Sequence, residues 1–186
     1  VVALSSSSTL SIAATIGDHS FTIAMTRLAT EDTTTIPLSL QFPLGPAGIS
    51  TIKYLNDGTV PDNWYTASFS DAAWTTLNAS NRPSSTQKIK LYRSTFNVAS
   101  KTDFHGFELS FFSRAGVLIY LNGNEIYRRY LSSGAISSSS TATGGGTSTT
   151  WKSVTGSMNS INQGSNTIAV AIITLGEDSM PLDFDM

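Results

Sequence analysis

The chain has 186 residues, of which 40% are hydrophobic and 13% charged, with a net charge of −2; these values suit one domain, or one domain plus part of a neighbour, with a packed core. The charged fraction is about half the usual roughly 25%, and Ser and Thr exceed a quarter of the chain, which favours strands over helices. No cysteine, basic surface or run of roughly 20 apolar residues is present, which argues against disulfides, nucleic-acid binding and a membrane span.

The predicted elements are mainly short strands separated by turn signals. The segment 5–9 is a Ser/Thr linker, 43–48 breaks structure, 61–85 is loop-like, 132–150 is a Ser/Thr/Gly loop, and 156–165 is irregular or a turn of helix. The sequence predicts strands at 20–28, 36–42, 49–55, 88–98, 106–113, 116–121, 124–130, at Trp151, at 166–175 and at 181–186. This spacing predicts an all-β sandwich or barrel.

The strongest turn signal is Asn122-Gly123, between the strands predicted at 116–121 and 124–130. Both central positions of a two-residue hairpin turn favour positive φ, which Asn and Gly tolerate. The sequence therefore predicts a tight antiparallel hairpin at this point.

Three segments near the N-terminus resemble three near the C-terminus in the same order. Residues 22–25 (Thr-Ile-Ala-Met) resemble 167–170 (Thr-Ile-Ala-Val), and similar matches follow around residues 28–32 and 36–40. We therefore expect residues 1–48 to hold a linker and two strands from the end of a preceding repeat, with 49–186 forming one complete domain. An isolated strand pair is marginal in water, so these strands would pack on that domain, be disordered or complement a neighbouring chain.

Four segments carry a family resemblance: residues 64–74, 91–96, 117–130 and 164–170, the last reading Gly-Ser-Asn-Thr-Ile-Ala-Val. In this order they resemble the galactose-binding-domain-like jelly rolls, which are appended to glycosidases, metallophosphoesterases and surface proteins. The resemblance covers roughly residues 50–186. It implies a two-sheet antiparallel jelly-roll sandwich, ligands bound at loops on one end, and often a structural calcium ion.

Catalytic chemistry has little support in the sequence. The two histidines, His19 and His105, lie far apart in the chain, and we interpret both as surface or strand-edge residues. There is no Gly-x-Ser-x-Gly elbow, no His-Glu-x-x-His motif, and the Gly144–Gly146 run lacks the Lys-Ser/Thr of a phosphate loop. We therefore expect a chain that is not an enzyme.

Loop carboxylates are candidates for a structural calcium ion, which takes six to eight oxygen ligands. One group of carboxylates follows the first strand of the domain, and a second group precedes its last strand. The two groups would meet if these strands are neighbours, as they often are in jelly rolls. The alternative is that all of these carboxylates are solvated loop residues. The predicted ligands are Asp57, Asp62, Asp71, Glu177 and Asp178.

A carbohydrate site needs aromatic faces for sugar C–H groups and planar polar groups for hydroxyls. The predicted ligand-binding residues are Trp64, Tyr65, Arg82, Arg128 and Trp151. Trp74, in a Phe-x-Asp-x-x-Trp pattern, is expected to pack on the core, and Tyr92 and Arg93 are expected to serve packing and pairing.

Three hypotheses follow for function. The first is a non-catalytic extracellular or cell-surface adhesion module that binds a carbohydrate or a surface protein. The second is a structural repeat that assembles with itself or with neighbouring repeats through strand edges. The third is an accessory domain of a larger glycosidase or phosphoesterase.

Overall fold

The structure is a computed structural model that describes residues 11–15, 20–27, 52–77, 87–101, 104–113, 115–145, 152–175 and 184–185. A short 3₁₀ turn, Met158–Ser160, follows the ninth strand. In chain order the strands are β1 (Ser11–Thr15), β2 (Ser20–Arg27), β3 (Lys53–Leu55), β4 (Thr75–Thr76), β5 (Ile89–Val98), β6 (Phe104–Ser113), β7 (Gly116–Leu121), β8 (Asn124–Arg129), β9 (Lys152–Ser157), β10 (Gly164–Ile173) and β11 (Phe184–Asp185).

The strands form two antiparallel sheets. The first sheet has the order β1-β2-β6-β9, with β11 also paired to β6, and the second has the order β4-β3-β5-β10-β7-β8. The predicted all-β, two-sheet antiparallel architecture is therefore confirmed. Within the described part of the chain, no helix combines the length and apolar character that a membrane crossing requires.

The strand predictions agree closely with the structure wherever it describes the chain. Nine of the ten predicted strands correspond to strands of the structure, most with ends shifted by a few residues, and the described part of the loop-like segment 61–85 contains turns and the two-residue β4. The predicted strand at 36–42 lies outside the described residues. The sequence reading missed β1, because a Ser/Ala/Thr segment carries no strong apolar alternation.

The N-terminal strands lie on this same chain. β2 pairs antiparallel with β6, with Ile23 opposite Leu109, and β1 pairs with β2. Of the two strands predicted in residues 1–48, the first corresponds to β2, which extends the sheet that contains β6, and the second, at 36–42, lies outside the described residues. The origin of residues 1–48 in a preceding repeat stays a prediction.

The main core lies between the two sheets. β6 contributes Phe107, Leu109 and Phe111 from the first sheet, which are at most 5% exposed. They pack in one cluster with apolar side chains of β5, β7 and β10 in the second sheet. Burial of side chains of this size stabilises the fold by roughly 1.5–3 kcal/mol each.

The second sheet is buried on its outer face as well. There, a second cluster includes Leu118 and Tyr120 of β7 together with Trp64 and Trp74 from the loop before β4. Every residue of β7 is buried, which explains its nearly continuous apolar sequence, since both faces of the strand are covered. We call the segment 60–74 the covering loop.

The Asn122-Gly123 hairpin forms as predicted. Asn122 and Gly123 have φ values of 51° and 86°, as a two-residue turn of this kind requires. The Asn122 side chain accepts from the backbone N–H of Thr167 and donates to the Ser160 carbonyl and to Asn166 Oδ1. Asn166, only 1% exposed, thereby links the hairpin to the start of β10.

Candidate functional site

A cleft of about 430 Å³ opens on the outer face of the second sheet. Its volume falls within the roughly 300–1,000 Å³ of small-molecule sites. Three parts of the chain line it: residues 60–65 of the covering loop, the β7–β8 hairpin through Tyr120, Glu125 and Arg128, and residues 134–136. The cleft therefore combines apolar, aromatic and charged groups.

Three aromatic rings form one side of the cleft. Tyr65 stacks on Tyr120 with ring centroids 4.2 Å apart, and Trp64 meets both rings edge-on. Trp64 is 2% exposed, so it supports the tyrosines from beneath. Tyr65 is only partly buried and is the ring of the three that offers the most surface to a ligand.

The covering loop is held by a buried arginine of β5. Arg93 is 3% exposed and donates from Nε to Asp71 at 2.9 Å. Its remaining nitrogens donate to backbone carbonyls of the loop, those of Trp64, Thr66 and Phe69. A guanidinium suits this role because its donors form a fixed planar fork. Arg93 thus fixes the loop that carries Trp64 and Tyr65, in line with the packing role expected for it.

A second arginine organises the opposite side. Arg128 binds Glu125 at two points, with Nε–Oε1 of 2.8 Å and Nη2–Oε2 of 2.7 Å. It also donates to the carbonyls of Ser132 and Gly134 at 2.7 and 2.9 Å. These bonds use four of the five guanidinium N–H groups, so Arg128 mainly fixes Glu125 and the segment after β8.

A β-bulge places Glu125 and Arg128 on the same face. Residues three apart in a regular strand point to opposite faces. In β8, however, Leu118 pairs with Arg128 and Tyr120 pairs with Glu125, so Ile126 is an extra residue without an opposite partner. One extra residue shifts the alternation of side chains by one position. Glu125 and Arg128 therefore both lie on the outer face, as do the β7 residues opposite them.

Electrostatics keep the two polar groups of the hairpin in fixed ionisation states. The hydrogen bond from Arg128 lowers the pKa of Glu125, which therefore stays a carboxylate at neutral pH. Burial, with the Glu125 charge next in importance, raises the pKa of Tyr120, which stays a neutral phenol. Glycosidases need a carboxylic acid whose pKa is raised so that it can donate a proton. Glu125 has the opposite shift, so its environment suits hydrogen bonding rather than proton donation.

The structure brings three of the five predicted ligand-binding residues together. Trp64, Tyr65 and Arg128 all line the cleft, whereas Arg82 and Trp151 lie outside the described residues. Tyr120 and Glu125 were missed as site residues. Tyr120 sits in an apolar strand, and the position of Glu125 depends on the bulge, which has no sequence signal beyond the nearby turn.

The predicted calcium ligands occupy separate environments where they are described. Asp57 accepts from the backbone and hydroxyl of Thr59, Asp71 is paired with Arg93, and Asp62 lines the cleft. Across the described ranges, no group of three His, Cys, Asp or Glu side chains is arranged to hold a metal ion. Glu177 and Asp178 lie outside those ranges, and the calcium site stays a prediction.

The fold and the cleft define a class of protein: a two-sheet all-β domain with a polar, aromatic cleft on one sheet. The family model described as "Beta-galactosidase second all-beta domain" matches residues 61–178, more than half of the chain. The chain belongs to this family. The match includes β4 to β10 and the cleft residues from Pro61 onward. No curated protein matches the chain.

Proposed function

We propose that the chain is a non-catalytic accessory domain of a larger glycosidase of the β-galactosidase type. The observation that carries the proposal is the family match over residues 61–178, since that family consists of an all-β domain of β-galactosidases. Such a domain supports an enzyme by packing against its catalytic unit or by contacting substrate. Fold alone does not assign function, so the chemistry of the cleft is the second support.

That chemistry argues against Glu125 as the acid of a glycosidase. The Glu125 carboxylate is held ionised by Arg128, and Tyr120 is held neutral by burial. A retaining or inverting glycosidase uses one carboxyl group as an acid and a second as nucleophile or base. The Glu125 environment does not favour the acid role.

The family match supports the glycosidase hypothesis over the two other hypotheses drawn from the sequence. A free-standing adhesion module remains a proposal without a matching relative, as does the extracellular or cell-surface location. Self-assembly through donated strands is less favoured, because β2 already pairs with β6 of its own chain. A partner for the domain is therefore sought first in a catalytic unit of the same enzyme.

The proposal is tested by measuring hydrolysis of p-nitrophenyl β-galactopyranoside by two samples. The purified 186-residue chain should release no nitrophenol above the buffer rate. The native polypeptide that contains this segment, isolated from its source with an antibody against the chain, should be active. Turnover by the isolated chain that Glu125→Gln abolishes would overturn the non-catalytic assignment, and an inactive native polypeptide without a glycosidase domain would overturn the accessory role.

A further inference from the structure

We propose that Asn122, at the turn of the β7–β8 hairpin, is a deamidation site that folding protects and that opening of the hairpin exposes. In this reaction hydroxide removes the Gly123 N–H proton, and the nitrogen then bonds to Asn122 Cγ. The Cγ–Nδ2 bond breaks, the amide nitrogen takes a proton from water and leaves as ammonia, and a cyclic succinimide remains. Addition of water to either succinimide carbonyl gives aspartate or isoaspartate at position 122. This site is independent of the accessory role.

The local sequence makes Asn122 the most reactive asparagine of the unfolded chain. Asn122-Gly123 is the only Asn-Gly pair in the sequence, and every other asparagine precedes a residue with a side chain. Glycine has no Cβ, so nothing crowds its nitrogen, and its backbone reaches conformations that are closed to other residues. In an unfolded chain the Gly123 nitrogen therefore approaches the Asn122 side chain easily.

In the folded chain the Asn122 side chain is held by residues of two other segments. Its Oδ1 accepts from the Thr167 N–H at 2.9 Å. Its Nδ2 donates to the Ser160 carbonyl at 2.9 Å and to Asn166 Oδ1 at 2.8 Å. Because Nδ2 is the leaving group, its departure requires both of these hydrogen bonds to break, and partly buried polar groups are costly to leave without partners. The network therefore raises the barrier to deamidation.

The partner Asn166 is itself held in place. It is 1% exposed. Its Nδ2 donates to the carbonyls of Asn162 and Gly164, and its Oδ1 also accepts from the Asn162 N–H. The backbone N–H of Asn122 donates to the Thr167 carbonyl as well. Deamidation thus requires the hairpin turn to separate from the start of β10.

The product does not fit the position that Asn122 occupies. A carboxylate has no N–H to donate, so it would face two acceptors, the Ser160 carbonyl and Asn166 Oδ1. Asn166 cannot turn its Nδ2 toward the carboxylate without leaving the carbonyls of Asn162 and Gly164. Isoaspartate also lengthens the backbone within a two-residue turn that has positive φ at both positions. Opening followed by deamidation is therefore an irreversible loss of the native hairpin.

The test compares deamidation of the 186-residue chain in mildly alkaline buffer with and without guanidinium chloride. Peptide mass spectrometry quantifies aspartate and isoaspartate at position 122 over time. Two folded variants are compared with wild type: Asn166→Ala, which removes one partner of Asn122, and Asn162→Ala, the matched control. Asn162 binds Asn166 through its backbone, so Asn162→Ala keeps the network. Circular dichroism checks that both variants fold, and Gly123→Ala in denaturant tests the attacking nitrogen without any requirement for folding.

Asn122 should deamidate at least about thirtyfold more slowly in the folded wild type than in denaturant, since three hydrogen bonds protect its amide. Asn166→Ala should raise the folded-state rate about three- to tenfold, and Asn162→Ala should leave it unchanged. In denaturant, Gly123→Ala should slow the reaction about tenfold or more. After removal of denaturant, chains modified at position 122 should remain in the unfolded fraction on size exclusion. Equal rates in the folded and unfolded chain, or refolding of modified chains as efficient as that of unmodified ones, would overturn the proposal.

Discussion

The carboxylate of Glu125 and the guanidinium of Arg128 form a two-point ion pair on one face of β8, although only two residues separate them in sequence. The extra residue Ile126 makes this geometry achievable, because the register of β8 against β7 shifts there. One local irregularity thus sets the polar side of the cleft and, through Arg128, the path of the chain at Ser132 and Gly134.

The ion pair predicts a stability difference that depends on pH. The folded-state pKa of Glu125 lies below its ordinary 4.5, so the pair stabilises the fold above pH 4.5 and loses its effect as pH falls through the folded-state pKa. Glu125→Gln should therefore lower the free energy of unfolding at pH 7 by up to about 1 kcal/mol, since the pair is partly exposed. Urea titrations of the wild type and of Glu125→Gln at pH 7 and at pH 3 or below measure this difference in the free energy of unfolding. A gap that widens in acid would contradict the assignment.

Replacement of the buried Arg93 should lower the free energy of unfolding more than loss of the Glu125–Arg128 ion pair does. Arg93→Lys keeps the charge but loses the planar fork that binds Asp71 and three loop carbonyls. We expect a loss of about 2–4 kcal/mol in the free energy of unfolding, because buried hydrogen-bond acceptors are left without donors. Arg129→Lys, outside this network, should cost less than about 1 kcal/mol. Chemical denaturation compares the two, and equal losses would show that Arg93 does not hold the covering loop.

Because Lys90 is buried, its contribution to the free energy of unfolding should increase as the pH rises in the alkaline range. The side chain is 2% exposed, and burial lowers its pKa to about 8 from 10.5. Between pH 8 and 10.5 the unfolded chain binds the proton more strongly, so stability attributable to Lys90 rises with pH across that window. Lys90→Met should raise the free energy of unfolding at pH 7 by about 1–2 kcal/mol and remove that rise. A less stable Lys90→Met variant at pH 7 would mean that the hydrogen bond from Lys90 Nζ to the Gln87 carbonyl, 3.1 Å long, outweighs the cost of burying the ammonium group.

Substitution of Gly123 should lower the free energy of unfolding through backbone conformation alone. Its φ is 86°, and an added Cβ would come no closer than 4.0 Å to Thr66, so space is not limiting. Gly123→Ala should lower the free energy of unfolding by about 1–2 kcal/mol, and Gly123→Asn should cost less, because Asn tolerates the left-handed region. Thermal melting measures both. If Ala and Asn cost the same, steric strain in the turn is not the cause.

The positions of the strands along the chain were largely predictable, but the cleft was only partly so. Alternating apolar residues and the Asn122-Gly123 turn specify strands locally, which is why β5 to β8 and β10 were predicted with small end shifts. The two-sided burial of β7 depends on the covering loop folding across the sheet, and that contact is set by Arg93, far away in sequence. The pairing of Glu125 with Arg128 depends on a bulge at Ile126. Neither feature has a periodic signal that sequence reasoning can use.

Placement of predicted aromatic residues shows the same limit. Trp64 was predicted to face a sugar, yet its ring is buried below the cleft, whereas its neighbour Tyr65 is partly exposed. In an irregular loop, side-chain direction follows the backbone hydrogen bonds, here those to Arg93. The sequence shows that this loop contains several aromatic residues, but it does not predict which of their rings is exposed at the surface.

The most direct test of the central claim is β-galactoside hydrolysis by the native polypeptide that contains this chain, with and without residues 61–178. We expect an active full-length enzyme, an inactive 186-residue chain, and a deletion variant that loses activity or stability. A native polypeptide with no glycosidase domain, or hydrolysis by the 186-residue chain itself, would contradict it.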